Sequence, residues 1–527
     1  MKRIILDGTN LTLFDIIKFI NNPEIKIGLC QKTLDKVKRY RNQVDRWIIE
    51  DSSPIYGINT GLGKLKDQTV KPSEQELFQK NILYSHAAGT GESFYPDIVK
   101  IAMLIRANVF MKGHSGVRPE LISRITDFLN NGIIPVVPSV GSLGVGDLQP
   151  MAHLGLALCG YKEGIISCKG KTGNATDVLK AAGISAAEFN LAAREALALM
   201  SGSTFVLAGG IYSYIKAKKL SQLIDGILAL SLEAIRGEAN AFDPRIHQSR
   251  GINGQVESAE NIVKLINDSE LITSKARELF GETLPRVQDA VSFRSSPQIH
   301  GALREILNFA EKIFTQECNA STDNPLIFEN EEGGFNVLSG GNYHGGLLSY
   351  TLDMLTIALT DIGMLSERRS ARLIDPAMSY GLPANLISNQ AGLNTGFALV
   401  QATAADLVTR MKILSTPASV QSIPAKGNQE DHNAMGNCTL DKLLTVISHL
   451  EYILAIELIL SSQAIGIILE KNPDLKQSPA TAKLYNSIRE NIPYVKSDIY
   501  AKDLIDKTVE LVTNDVLINI TEHFTLK

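Results

Sequence analysis

The segment TLDKLLTVISHLEYILAIELILSSQAIGIIL, residues 439–469, decides the class of fold. Its apolar residues recur at spacings of three and four, which is the pattern of an α-helix. They cover nearly the whole circumference of that helix, and such a helix must be buried on most of its faces. The segment therefore predicts a long helix inside a bundle.

The same pattern returns in residues 189–235 and 346–374, which are rich in Ala, Leu, Ile and Met. Before about residue 190, Gly and Pro interrupt the chain often and mark loops and short elements. We therefore predict an all-α protein with a loop-rich N-terminal region over residues 1–190 and a long helical bundle over residues 191–527. Helices this apolar also favour burial in an oligomer.

The composition excludes several classes of function. The 527 residues include 52 basic and 56 acidic ones, whereas surfaces that bind nucleic acid usually need a basic excess. A hydrophobic share of 44% excludes global disorder. We see no signal peptide, and the charged residues within the late apolar segment argue against a membrane span. Scattered cysteines and histidines without ligand spacing predict no metal site, and we expect a cytoplasmic protein.

Two glycine-rich stretches fail the tests for nucleotide binding. GINTGLGKL, residues 57–65, ends in Leu65 where a phosphate-binding loop needs a hydroxyl group. Residues 144–146, GVG, lack the third glycine of a dinucleotide-binding turn. NQEDH, residues 428–432, is by itself typical of a solvated helix start. None of these stretches identifies a function alone.

Five clusters taken together carry more information than any of them alone. They are YGINTGLG (56–63), SHAAG (85–89), GDLQPMAH (146–153), SGGNYHG (339–345) and NQEDH (428–432). In this order and spacing the chain resembles the histidine and aromatic amino-acid ammonia-lyase superfamily, from about residue 50 to beyond residue 470. The resemblance implies a long central helical bundle and a homotetramer whose active sites combine residues from several subunits.

The chain departs from this family in the cofactor loop. Family members cyclise an Ala-Ser-Gly tripeptide into the electrophile methylidene-imidazolone. Here the loop GSLGVGDL, residues 141–148, is one residue short and places Gly144, Val145 and Gly146 before Asp147, without the serine. Ser142 could cyclise only with the amide of a bulky leucine, which makes closure unfavourable. We therefore predict that the protein has no cofactor.

Other positions also depart from the family. Ser201 and Val291 replace the Asn and Tyr that serve the amine end of the family's site, and Tyr343 replaces a Phe. Ala398 stands where histidine-type enzymes often have Met. We expect these four residues to contact substrate. His153, His344 and His432 lie in family motifs, and we expect them to hydrogen-bond to loops.

The groups for proton removal and substrate recognition are retained. By resemblance, Tyr56 is the general base and Arg294 holds the substrate carboxylate, for which a planar bidentate donor is suited. Asn324 adds a polar group near that carboxylate, while His86 and Glu430 face the substrate ring. Glu430 could also act on Tyr56. The predicted catalytic residues are Tyr56 and Glu430, and the predicted substrate-binding residues are His86, Arg294, Asn324, Tyr343, Val291, Ala398, Ser201 and Gly63.

Retention of the base and loss of the electrophile suggest a substrate whose amine needs no activation. A trimethylammonium group leaves directly as neutral trimethylamine, and Tyr343 could contact it through a cation–π interaction. We therefore expect a small zwitterionic substrate and an ergothionase-type reaction, which splits ergothioneine into thiourocanate and trimethylamine. The alternatives are an ammonia-lyase or aminomutase with an atypical cyclisation of Ser142, and a non-catalytic relative that binds a ligand. A scaffold protein is the least favoured.

Overall fold

The computed structural model describes residues 3–50, 53–183, 188–282 and 286–525. Within these residues the chain is mainly helical, which confirms the predicted helical class. The α-helices are α1 (Leu13–Asn21), α2 (Gln31–Ile49), α3 (Gln75–His86), α4 (Pro96–Phe110), α5 (Pro119–Asn130), α6 (Leu148–Cys159), α7 (Ala175–Ala181), α8 (Glu195–Met200), α9 (Thr204–Ile235), α10 (Pro244–Arg250), α11 (Asn253–Leu265), α12 (Ser274–Glu278), α13 (Val291–Arg294), α14 (Ser296–Cys318), α15 (Gly346–Ile374), α16 (Ala398–Leu414), α17 (Gly436–Lys471), α18 (Pro479–Arg489), α19 (Ala501–Thr513) and α20 (Val516–Thr525).

The described strands are short and form small sheets of two or three strands. They are β1 (Arg3–Leu6), β2 (Lys26–Leu29), β3 (Thr90–Ser93), β4 (Ile134–Pro135), β5 (Pro138–Val140), β6 (Ile165–Cys168), β7 (Lys171–Asn174), β8 (Leu326–Glu329) and β9 (Phe335–Leu338). Only β1 and β2 pair in parallel, with Arg3 opposite Lys26. The other pairs, β3 with β5, β4 with β6, β6 with β7 and β8 with β9, are antiparallel.

The chain forms two compact units, each built from separate stretches of sequence. The first comprises Met1–Tyr212, Ala310–Asp353 and Pro417–Asp441, and the second comprises Ser213–Phe309, Met354–Thr416 and Lys442–Lys527. All the described strands belong to the first unit. The predicted boundary at residue 190 lies where the long apolar helices begin in the sequence. Each of the two compact units is instead assembled from three separate stretches of the chain.

Among the described residues, three helical stretches are long and apolar enough to cross a membrane by length and composition alone. They are Glu195–Ile235, Gly346–Ile374 and Gly436–Lys471. Within the protein, 94%, 67% and 89% of their most apolar windows are buried. Packing within the chain therefore covers most of this apolar surface, as the periodicity predicts. The middle stretch, α15, keeps the largest uncovered share.

A buried ion pair fixes the core of the second unit. The Arg369 guanidinium donates from Nε and Nη2 to the two carboxylate oxygens of Glu457, at 2.5 and 2.8 Å. Ser231 donates a further hydrogen bond of 2.6 Å to Glu457 Oε1. The side chains of Arg369 and Glu457 are fully buried, so each charge depends on these partners. The pair joins α15 to α17.

Candidate active site

The predicted general base lies on a tight loop that follows α2. The Ile55 amide donates to Asn59 Oδ1 at 2.6 Å, and the Gly61 amide donates to the Gln68 carbonyl at 2.8 Å. These bonds close the loop around Tyr56. The amide of Gly63 donates to the Tyr56 hydroxyl oxygen at 3.3 Å. The Tyr56 hydroxyl oxygen therefore has a backbone N–H donor beside it.

Gly57 allows this loop to pack closely against α8. Its φ is +68°, and a Cβ at this position would lie 2.5 Å from Leu197 Cδ2. Both the backbone conformation and the available space therefore require glycine. The next residue, Ile58, is buried. The loop is thereby anchored directly after Tyr56.

His86 is the last residue of α3, and its ring is oriented by the helix itself. Its Nδ1 lies 2.9 Å from the Ile82 carbonyl oxygen. A carbonyl only accepts, so Nδ1 carries the hydrogen and Nε2 is left as an acceptor. Burial lowers the pKa of His86 below its ordinary value of 6.5. A neutral imidazole with a free acceptor nitrogen suits a ligand that donates an N–H.

Glu430 lies on a loop of unusual backbone conformation that precedes α17. The Ala425 backbone N–H donates to the Glu430 carbonyl oxygen at 2.9 Å. Lys426 Nζ lies 2.6 Å from Glu430 Oε2. Lys426 was not among the predicted site residues, although its spacing of four residues from Glu430 is a recognisable signal for an ion pair. The ion pair holds the Glu430 carboxylate at the cavity.

Tyr343 faces the same space. Burial raises the pKa of the Tyr343 hydroxyl, and the neighbouring charges of Glu430 and Tyr56 raise it further. Tyr343 is therefore a neutral phenol at neutral pH. Its carbonyl oxygen accepts hydrogen bonds from the Gly146 amide at 3.2 Å and from the Ser203 hydroxyl at 3.0 Å. These bonds tie the segment around Tyr343 to the loop before α6.

Asn324 presents a donor to the cavity. Its Oδ1 accepts from the Gly340 amide at 2.7 Å and from the Ser339 hydroxyl at 3.3 Å. Because Oδ1 is engaged, the Nδ2 amino group is the part left to donate to a ligand. Its backbone amide donates to Ser201 Oγ at 3.1 Å. The buried Arg194 side chain pairs with Asp323 at 2.8 Å and fixes the preceding residue.

The loop before α6, residues 141–147, is held by hydrogen bonds from several directions. Ser142 Oγ donates to Asp147 Oδ1 at 2.9 Å and accepts from the Gly144 amide at 3.2 Å. The Leu143 carbonyl accepts from the Met435 amide at 2.7 Å. Val145 and Gly146 line the cavity, whereas Ser142 is not among the lining residues.

These segments surround a cavity of about 840 Å³ within the first unit. It brings together most of the predicted site residues, namely Tyr56, Gly63, His86, Ser201, Asn324, Tyr343 and Glu430. Lys64 and Lys426 also line it, and Lys426 forms an ion pair with Glu430. The residues meet as the motif order predicts, and their individual roles remain predictions.

Three predicted residues do not line this cavity: Val291, Arg294 and Ala398 belong to the second unit. Val291 and Arg294 form the ends of the short helix α13, where the Val291 side chain is 55% exposed. Arg294 Nε is buried, with no hydrogen-bond partner among the residues that the structure describes. Ala398 opens α16. The first unit therefore does not supply the arginine that is predicted to bind the substrate carboxylate, Arg294.

The three histidines of the family motifs that do not line the cavity, His153, His344 and His432, make local contacts. His153 Nε2 accepts from the Gly89 amide at 3.1 Å. His344 stacks on His432 with 5.3 Å between ring centroids, and His344 Nδ1 accepts from the Gly346 amide at 3.2 Å. These contacts agree with the predicted structural roles.

Comparison with known proteins supports the same family. Residues 11–490 match the family described as aromatic amino acid lyase. The chain is 38% identical to histidine ammonia-lyase 2 of Fusobacterium nucleatum over 520 residues, covering 98% of both chains. It is 39% identical to the histidine ammonia-lyase of Geobacillus thermodenitrificans over 503 residues, 95% of each chain. The crystal structure of histidine ammonia-lyase from Trypanosoma cruzi superposes with a TM-score of 0.87 at 32% identity, covering 99% of this chain and 95% of that one.

These comparisons correct the predicted ergothionase reaction. The ergothionase of Treponema denticola has a similar structure, with a TM-score of 0.89 over 98% of this chain and 100% of that one, but only 26% identity. The two relatives at 38% and 39% identity over nearly the whole chain are histidine ammonia-lyases. The prediction gave one shortened loop more weight than the rest of the chain, and release of trimethylamine from ergothioneine is not supported. The chain belongs to the aromatic amino acid lyase family.

Proposed function

We propose that this protein is an ammonia-lyase that acts on histidine or a closely related imidazole amino acid. The observation that carries the proposal is the pairing of His86 and Glu430 on one cavity that also contains Tyr56. His86 offers a neutral acceptor nitrogen and Glu430 a carboxylate, so the two can hold the ring N–H of a substrate imidazole. The names of the relatives with high identity support the same substrate class.

The chemistry follows from the position of Tyr56. In the proposed reaction the Tyr56 oxygen, stabilised by the Gly63 amide, accepts the proton from the substrate's β-carbon. The electrons of that C–H bond form the double bond between the α- and β-carbons. The bond from the α-carbon to nitrogen breaks, and the protonated amine departs as ammonia. Asn324 Nδ2 is available to donate to the substrate carboxylate.

The family's electrophile does not fit the residues present at this site. The cavity-lining part of the loop consists of Val145 and Gly146, neither of which has a hydroxyl to lose. Ser142 is buried, and its hydroxyl is bound to Asp147. No step of the proposed reaction therefore passes through that group.

The experiment uses the purified full-length protein with histidine as substrate, and measures ammonia and the unsaturated imidazole acid separately. Phenylalanine and tyrosine serve as control substrates. We expect equal amounts of ammonia and unsaturated acid from histidine and little from the controls. Binding of histidine without release of ammonia would contradict the proposal and favour a ligand-binding relative. A β-amino acid product would favour an aminomutase.

We also propose that the active protein is a homotetramer with shared active sites, acting in the cytoplasm. Support comes from Arg294, the predicted carboxylate clamp, which does not line the cavity. Further support comes from α15, whose exposed apolar residues are Leu347, Tyr350, Met354 and Ile357. A second copy of the chain would both cover this face and supply groups that the cavity lacks.

A further inference from the structure

We infer that the loop 141–147 remains an unmodified peptide, in which Ser142 and Asp147 together hold the start of helix α9. The inference concerns the covalent state of the loop, and it does not depend on the substrate proposed above. It separates this chain from the electrophile that its family implies.

Ser142 is the only serine available to the loop, and its hydroxyl has a structural role. It donates to Asp147 Oδ1 at 2.9 Å and accepts from the Gly144 amide at 3.2 Å. Cyclisation would remove this hydroxyl as water and break both hydrogen bonds. A buried carboxylate would then lose a partner, which is unfavourable in a site without access to water.

Asp147 connects the loop to the longest helix of the first half of the chain. Its Oδ2 accepts from the amides of Phe205 and Val206 at 2.7 and 3.1 Å. These are among the first amides of α9, which have no partner within the helix. A carboxylate at a helix N-terminus also complements the helix dipole. Ser142 therefore orients the carboxylate that caps α9.

The backbone that follows Ser142 also makes close contacts with another segment of the chain. The Leu143 carbonyl accepts from the Met435 amide at 2.7 Å. Gly144 has a φ of +80°, and a Cβ there would lie 2.6 Å from the Gly436 amide nitrogen. The segment around Met435 therefore packs directly on this loop. Ring closure would require the Leu143 amide nitrogen to attack the Gly141 carbonyl carbon within this packed segment.

The geometry also places the serine away from the reacting groups. The loop contributes Val145 and Gly146 to the cavity lining, whereas Ser142 is not among the lining residues. An alkene formed at residue 142 would thus not face Tyr56 across the cavity. Burial raises the pKa of Asp147, opposed by the hydrogen bonds from Val206, Ser142 and Phe205. Loss of the Ser142 bond would remove part of that opposition.

The first test is the intact mass of the purified full-length protein, together with the mass of a proteolytic peptide that contains residues 141–147. We expect the mass that the sequence gives. Cyclisation and dehydration would remove the mass of two water molecules, and a peptide lighter by that amount would overturn the inference. This test measures mass and not activity. The inference can therefore fail while the proposed lyase reaction holds, and the lyase reaction can fail while the inference holds.

The second test measures the structural role by thermal unfolding. We expect Ser142→Ala to lower the Tm by about 2 °C or more, because Asp147 loses a buried partner. Ser139→Ala is the matched control, since no hydrogen bond of its hydroxyl occurs among the described residues. An unchanged Tm for Ser142→Ala would contradict the structural role. If the variant does not fold, the mass of the protein without the substitution still decides the covalent state of the loop.

Discussion

At the scale of single residues, Tyr56 carries the strongest catalytic prediction. Tyr56→Phe removes the oxygen that is proposed to accept the β-proton and keeps the aromatic ring. We expect turnover of histidine to fall by about 10²-fold or more, with an unchanged circular dichroism spectrum. The measurement is kcat from formation of the unsaturated acid.

Tyr95→Phe is the control for the same chemical change outside the cavity. Tyr95 is 56% exposed and its ring stacks on Tyr212 at 5.5 Å, so the substitution keeps the ring contact. We expect its turnover to match the unmodified protein. Equal turnover in both variants would remove Tyr56 from the role of base.

If His86 binds the substrate ring as proposed, the activity should depend on pH in a defined direction. Burial lowers its pKa below 6.5, so the neutral, accepting form persists as the pH falls to that value. We expect the contribution of His86 to kcat/KM to be constant above pH 6.5 and to be lost only below it, as the ring becomes protonated.

Histidine, the proposed substrate, has its own imidazole titration, so the pH profile is compared with that of His86→Gln. Glutamine does not titrate, and only the substrate's contribution remains in this variant. We expect a higher KM for His86→Gln and a difference between the two profiles confined to the acid side. A difference centred above pH 6.5 would contradict the lowered pKa.

At the scale of elements, the sequence predicts the helices well and the strands poorly. The apolar repeat of residues 439–469 corresponds to α17, which runs over Gly436–Lys471. The strands have only two to four residues each, too few for an alternating pattern to be recognised. Several also lie in stretches broken by Gly and Pro, where the sequence indicates only a loop.

The candidate site divides in the same way. Tyr56, His86 and Glu430 come from separate motifs, and the family resemblance predicts that they meet, as they do. The ion pair of Lys426 with Glu430 was missed because its spacing alone does not distinguish a cavity from a solvated surface. The role of Arg294 stays a prediction, because it does not line the cavity and no sequence pattern indicates whether another copy of the chain supplies it.

The buried pair of Arg369 and Glu457 gives the prediction at this scale. Arg369→Met leaves the Glu457 carboxylate buried without its charged partner. We expect a loss of about 3–5 kcal/mol in the free energy of unfolding, measured by denaturant titration. The double variant with Glu457→Leu should recover much of this loss, because neither charge remains buried.

Arg410→Met provides the control, because its pair with Asp406 is exposed on both sides. A pair of this kind contributes only about 0–1 kcal/mol to the free energy of unfolding. Equal losses for Arg369→Met and Arg410→Met would show that the buried pair does not stabilise the second unit.

At the scale of the whole molecule, helix α15 exposes a row of apolar side chains. Leu347, Tyr350, Met354 and Ile357 follow one another at helical spacing and expose 47%, 51%, 38% and 47% of their surface. Large apolar side chains repeated along one face are typical of an interface. A single copy of the chain therefore leaves part of its apolar residues, which make up 44% of the sequence, unburied.

The last prediction follows from this face. We expect Ile357→Lys to shift the protein from a tetramer to smaller species, measured by size-exclusion chromatography with light scattering, because a charge would be buried in the contact. Phe14→Lys is the control, since Phe14 is 70% exposed on α1, in the first unit. If subunits share the sites, activity should fall together with the loss of the tetramer. A fully active monomer would show that one chain completes its own site, and Arg294 would then lose its predicted role.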